Sequence, residues 1–207
     1  PAYFIGNLVY NAPEGGSLKL QGNPSGIVLY HNTLIGEAHY MGPTSNVHFR
    51  NNLILGQGAY PEIFTVDTFT NYSSSDYNGF RPNPGQADAF GWNSPPKDVV
   101  ADYTSDREKR RFGSLRDYSR ATGQDRHSVL VDYSDFVRVS EPDRNDPRRY
   151  YHPDEFDFSL APRSRAIDKG VVLPNVNDGF TGRAPDLDAF ERGKPMPHYG
   201  PRPEVRQ

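Results

Sequence analysis

The sequence predicts an all-β solenoid, a chain of short parallel strands wound in stacked coils. Three observations carry that expectation. Two apolar runs, GIVLYHNTLIG and NVHFRNNLILG, each hold a central Asn, at Asn32 and Asn52. The same pattern precedes them in FIGNLV with Asn7 and follows, more loosely, in SDYNGF at residues 75–80. The first two Asn spacings are 32 − 7 = 25 and 52 − 32 = 20 residues, the length of one strand-and-turn unit of a repeat architecture.

The elements follow in order. Residues 1–56 are nearly uncharged and show no clean helical period. FIGNLVYN is one strand region, and in GGSLKLQG the leucines 18 and 20 alternate with Ser17 and Lys19, as in a half-buried strand. Strands this short cannot bury an apolar face alone, so coil must stack on coil. The Asn residues are expected at the turns, where Asn tolerates unusual dihedrals, with their amides bonding up and down the stack. Residues 1–80 are therefore read as three or four coils.

Residues 81–128 are read as a loop excursion with a short helix. PNPGQADAFGWNSPPKDV is rich in Pro and Gly, and insertions in a solenoid leave from one face. Tyr77, Phe80, Phe90 and Trp92 lie in or beside it, either as platforms for a sugar or as pins that hold the loop to the coils. SLRDYSRATGQDRHS starts a helix capped by Ser114, before a return to the coil at Val129–Val131. The DREKRR run is balanced by acidic neighbours, which suits a solvated face and no nucleic-acid partner. Residues 129–191 are read as the last coil and a cap over the solenoid's end, with Leu160, Ala166 and Ile167 covering it and Leu187, Ala189 and Phe190 pairing as a final strand. Residues 192–207 form a Pro-rich extended tail.

The composition bounds the partners. The net charge is −3, so no strong global field attracts polyanions. No apolar run is long enough to span a membrane. Cysteine is absent, which excludes disulfides and thiolate metal sites. The opening PAYFIGN begins in strand-like sequence without a basic-then-apolar leader. The chain is accordingly expected to be the C-terminal part of a longer protein, with a partner chain or missing N-terminal coils covering its first edge.

The strand–Asn–strand coils and the closing phrases DFSLAPRSRAIDKG and GRAPDLDAFERG resemble the C-terminal part of a right-handed parallel β-helix protein of the pectate-lyase-like superfamily. The resemblance covers about residues 3–56 and 156–191, and Asp188 stands where the closing motif usually has Gly. It implies a secreted or periplasmic protein and a polysaccharide partner. It is compatible with polysaccharide lyases, glycoside hydrolases, epimerases and inert scaffolds alike.

Cleavage of a glycosidic bond needs either two carboxyl groups for hydrolysis or, for elimination beside a uronate carboxylate, a base and a nearby cation. The coils supply His31, His48 and Arg50 as catalytic candidates, with Tyr30, His39, Tyr40 and Trp92 as substrate-binding candidates. His48 and Arg50 share one strand face by the period of two, and stacking brings the neighbouring strand within about 5 Å. The alternative is a wall of solvated polar side chains on a non-catalytic carbohydrate-binding or structural domain. A hydrolase would draw its acids from Asp67, Asp76 or Asp88. No cofactor is expected. Asp168, Asp178, Asp186 and Asp188 suit calcium in ligand type, but they lack the spacing of a calcium loop and suit backbone N–H bonding in tight turns better. No GxGxxG, P-loop, GxSxG or HExxH motif is present.

Overall fold

The protein is described here by a computed structural model covering residues 1–12, 16–38, 40–58, 60–95, 99–101 and 110–195. Three strands recur per coil. The first coil holds β1 (Ala2–Ile5), β2 (Leu8–Tyr10) and β3 (Lys19–Leu20). The second holds β4 (Ile27–Tyr30), β5 (Thr33–Ile35) and β6 (Tyr40–Met41). The third holds β7 (Val47–Arg50), β8 (Leu53–Leu55) and β9 (Phe64–Asp67), and the fourth β10 (Ser74–Asp76), β11 (Gly79–Arg81) and β12 (Phe90–Asn93). In the first two sheets each strand pairs in parallel with its counterpart one coil away. At the third position β3 pairs with β6 and β9 with β12, and among the described residues only the single bridges Ala38–Phe64 and Thr44–Thr68 join the two pairs, so the sheets interleave in a solenoid-like arrangement. SDYNGF is thus a further coil, as its sequence suggests. Phe90–Asn93 is a strand of the third sheet and not part of a looped-out excursion, because Phe90 and Trp92 belong to the apolar interior.

The first and second sheets meet at a two-residue corner, and here the Asn expectation is both met and corrected. Asn7 donates its backbone N–H (3.0 Å) and side-chain amide (2.8 Å) to Asn32 Oδ1. Asn32 does the same to Asn52, and Asn52 to Asn78. The ladder exists, yet these residues are not the ones with turn dihedrals. The left-handed position is one residue earlier, at Gly6, His31, Asn51 and Tyr77, with φ of 67°, 53°, 59° and 55°. Three of these carry a Cβ in a region that costs roughly 1–2 kcal/mol per residue. Each ladder Asn donates from its backbone N–H while its side chain stays inside the corner.

The interior is lined by alternate strand residues, among them Leu29, Phe49, Leu34, Ile54, Phe64 and Phe80. A chain of rings runs from Phe49 through Phe64, Phe80 and Phe90 to Tyr118, with centroids 5.0 to 5.4 Å apart. Tyr118 sits on α1 (Leu115–Thr122), which packs against β12 and the short β13 (Arg111–Phe112). Ser114 Oγ accepts the Asp117 N–H at its start, and Gly123 at φ 75° ends it. The solenoid's C-terminal end is therefore closed by this helix. The Asn ladder ends there too: Asn78 donates to Ser128 Oγ and Asp125 Oδ1 where a further coil would offer an Asn.

The closing phrase does something other than the expected end cap. β14 (Val129–Leu130) adds to the second sheet beside β11, and β15 (Phe136–Arg138) pairs antiparallel with β16 (Asp157–Leu160). From there the chain lies on the outer wall of the second sheet. Leu53, Leu55 and Ile35 form a second core with Phe136, Phe158, Leu160, Ala166 and Leu187. This explains why every residue of β5 and β8 is buried: the sheet has apolar cover on both faces. Residues 187–190 form no strand; they run as bends whose Asp188 N–H and Ala189 N–H bond Asn51 O and Thr33 Oγ1. Ile167 and Phe190 are half-buried. The Pro-rich tail from residue 196 lies outside the described residues, as do residues 102–109, which hold part of the charged run.

Candidate functional site

Among the described residues, the C-terminal segment covers the second sheet and leaves the outer face of the first uncovered. The register of the first sheet aligns outward side chains in two rows, Tyr3–Val28–His48–Ser74 and Ile5–Tyr30–Arg50–Asp76. The inward residues between them, such as Leu29 and Phe49, are fully buried, so the alternation hydrophobic-in, polar-out sets this face. Tyr30, His48 and Arg50 thus share one wall, as the strand period predicts.

His48 is held at both nitrogens. Nδ1 lies 2.8 Å from Ser74 Oγ and Nε2 lies 2.7 Å from Asn46 Oδ1. Burial, with Arg50 adding to it, lowers its pKa and keeps the ring neutral. Arg50 donates to Phe49 O (2.7 Å) and to the same Ser74 Oγ (2.8 Å).

At the end of this wall Asp76, one of the acids the sequence offers, meets His127, which no motif marks. His127 Nδ1 lies 2.7 Å from Asp76 Oδ2, and Asp76 Oδ1 accepts the backbone N–H groups of His127 (2.8 Å) and Tyr77 (2.9 Å). The His127 ring stacks on Tyr77 with centroids 4.6 Å apart. More than half of the His127 side chain is exposed, and among the described residues its Nε2 has no hydrogen-bond partner. A carboxylate thus orients an imidazole whose far nitrogen is open, one strand from Arg50. His127 lies in a charged segment far from the coil repeat, and only the return of the chain to the fourth coil brings it beside Asp76.

The other candidates are placed elsewhere. His31 occupies a left-handed corner position under the C-terminal segment. Its Nε2 faces the amides of Asn51 (3.0 Å) and Asn177 (2.8 Å), so its Nδ1 carries the proton and donates to Asp188 O (3.1 Å). Desolvation lowers its pKa, and the Asp188 carbonyl partly offsets that. It anchors the wall segment and does not meet the open face. Trp92 is 2% exposed inside the solenoid, where its ring is unavailable to a surface ligand. Tyr40 lies in β6 on the third sheet, away from the first, and His39 lies outside the described residues.

The acidic set serves the turns. Asp168 accepts the N–H of Arg183 (2.8 Å) and Ala184 (3.3 Å), and Asp186 those of Asp168 (2.8 Å) and Arg192 (2.9 Å). Asp178 accepts from Asn175 N–H, and Asp188 from the Thr33 hydroxyl and Ala189 N–H. Among the described residues no group of three or more His, Cys, Asp or Glu is placed to hold a metal ion, and no helix is long and apolar enough to cross a membrane. Comparisons with protein-family profiles, with curated proteins and with solved structures found no match.

Proposed function

We propose that the chain belongs to a right-handed parallel β-helix protein of the pectate-lyase-like kind, secreted or periplasmic, that cleaves an acidic polysaccharide by elimination on the open face of the first sheet. The observation that carries the reading is the Asp76–His127 pair, 2.7 Å apart, one strand from Arg50. Arg50 holds the uronate carboxylate and steadies the negative charge that develops on it. His127 Nε2 takes the proton from the carbon beside that carboxylate. The released electron pair becomes a carbon–carbon double bond as the adjacent bond to the glycosidic oxygen breaks, and that oxygen leaves with a proton from water. Asp76 stabilises the imidazolium that forms, the role a buried carboxylate plays toward a histidine base. Tyr30, in the Arg50 row, and His48 line the path of the sugar chain.

Elimination is favoured over hydrolysis because Asp76 is the single carboxylate among the outward strand positions of this face, and it is engaged by His127. Hydrolysis needs two. The test is incubation with acidic and neutral polysaccharides, reading both the ultraviolet absorbance of an unsaturated uronate and new reducing ends. Reducing ends without the absorbance reassign the face to hydrolysis. Binding without either product reassigns it to a non-catalytic carbohydrate-binding domain.

We further propose that another coil, from preceding sequence or a partner chain, stacks on β1. Inward-facing Phe4 is 39% exposed there, and Asn7 Oδ1 has no donor among the described residues, whereas the other ladder Asn residues each receive two.

A further inference from the structure

A concave site lies on another wall, beside the second sheet. Between β2 of the first coil and residues 149–158 is a cleft of about 620 Å³, within the range of roughly 300–1,000 Å³ typical of small-molecule sites. Its walls are aromatic: Tyr10, Tyr150, Tyr151, Phe156, Phe158 and Phe190. The rings brace one another. Tyr10 meets Tyr151 edge-on at 5.1 Å and Phe156 at 4.5 Å, and Phe156 meets Phe158 at 5.5 Å. Three hydrogen bonds fix residues 140–149 to the coil: Tyr10 Oη donates to Ser140 O (3.0 Å), and Asn11 Nδ2 to Pro147 O (3.2 Å) and Arg149 O (3.5 Å). The cleft is therefore pre-formed.

Its mouth decides the ligand. Arg149 lies over the Tyr151 ring at 4.7 Å, and its Nη2 is 3.1 Å from Glu155 Oε2. Among the described residues the one cation lining the cleft is thus met by a carboxylate, so the mouth does not select for an anion. Tyr150 is 76% exposed and brings both a ring face and a hydroxyl. The Asn11 amide oxygen and the remaining Arg149 N–H groups complete a rim of acceptor and donors beside apolar walls. The ligand that matches has an apolar ring face, hydroxyls along its edge and no charge. We infer that this cleft binds a neutral glycan and so holds a polysaccharide at a distance from the face proposed for elimination.

The experiment is calorimetric titration of the chain with neutral tetrasaccharides of the β-glucan, mannan and galactan series, with an acidic oligogalacturonate as comparator. At least one neutral series is expected to bind. Tyr150→Ala, at an exposed position, is expected to weaken it about tenfold, or 1.4 kcal/mol, while Tyr150→Phe keeps most of the affinity. His127→Ala is expected to leave it unchanged, so failure of the elimination reading does not remove this one. Binding of no neutral series overturns the inference, as does equal binding by Tyr150→Ala. A cleft filled by the apolar dye anilinonaphthalene sulfonate that no oligosaccharide displaces also overturns it.

Discussion

Asn52 Oδ1 accepts two hydrogen bonds from Asn32, one from the backbone N–H at 3.0 Å and one from the side-chain amide at 2.8 Å. Asn52 in turn donates its own amide to Asn78 Oδ1 (2.9 Å) and Leu29 O (2.8 Å). One buried side chain of the third coil thus satisfies groups of the second and the fourth. Asn52→Ala strands several of them without water and is expected to cost roughly 2–4 kcal/mol. Denaturant titration checks this; a loss below about 0.5 kcal/mol would show that the corner is held by backbone pairing alone.

The anchoring of the wall segment is expected to depend on pH in two opposite senses. Burial lifts the Asp188 carboxyl from 3.8 to about 8, against the lowering effect of Thr33 and Ala189. A folded pKa above the unfolded one means that its contribution is complete below about pH 4 and is lost as pH rises through 8. His31 has a folded pKa below its ordinary 6.5, so its contribution is present above 6.5 and is lost as pH falls through the folded value. Asp188→Asn keeps an acceptor for Thr33 and cannot ionise. It is expected to melt higher than the parent at pH 9 and about equally at pH 4; a lower melting point at pH 9 contradicts the assignment.

The second core gives a graded expectation. Leu187 is fully buried against the second sheet, while Ile167 is half-buried. Leu187→Ala is expected to cost about 2–5 kcal/mol and Ile167→Ala less than half of that. Urea midpoints measure both, and the reverse order would remove Leu187 from the centre of that core.

How much of this was legible depends on where the information is stored. The coils were legible because their signals are local: apolar alternation and an Asn at a fixed place in each repeat. The left-handed corner was not, because its four residues, Gly6, His31, Asn51 and Tyr77, share a backbone conformation and no chemistry. The Pro/Gly-rich flanks of Trp92 describe the loops around β12 and not the strand itself, so its burial is not legible locally. The apolar residues of the closing phrase fit any exposed core, an end as well as a wall; only the double burial of β5 and β8 shows that they cover a wall. His127 was invisible, since its partner Asp76 is 51 residues away and chain return alone joins them.

The open end at β1 leads to a constructive test. A copy of residues 26–45 fused ahead of Pro1 places an Asn before Asn7 at the 20-residue spacing that separates Asn32 from Asn52. The fusion is expected to melt higher and to slow amide exchange in β1, because its Asn can donate to Asn7 Oδ1 while Phe4 becomes covered. An unchanged melting point and unchanged exchange would mean that this end does not accept a coil.

The most direct measurement of the central claim is the initial rate of unsaturated-uronate formation from acidic polysaccharides, for the parent chain and for His127→Ala, Arg50→Ala and His48→Ala. The expected result is turnover by the parent on at least one acidic substrate, a loss of about 100-fold or more for His127→Ala, in line with the usual weight of a general base, a comparable loss for Arg50→Ala, and a smaller loss for His48→Ala. Turnover that survives His127→Ala and Arg50→Ala, or no unsaturated product from any acidic polysaccharide, would contradict it.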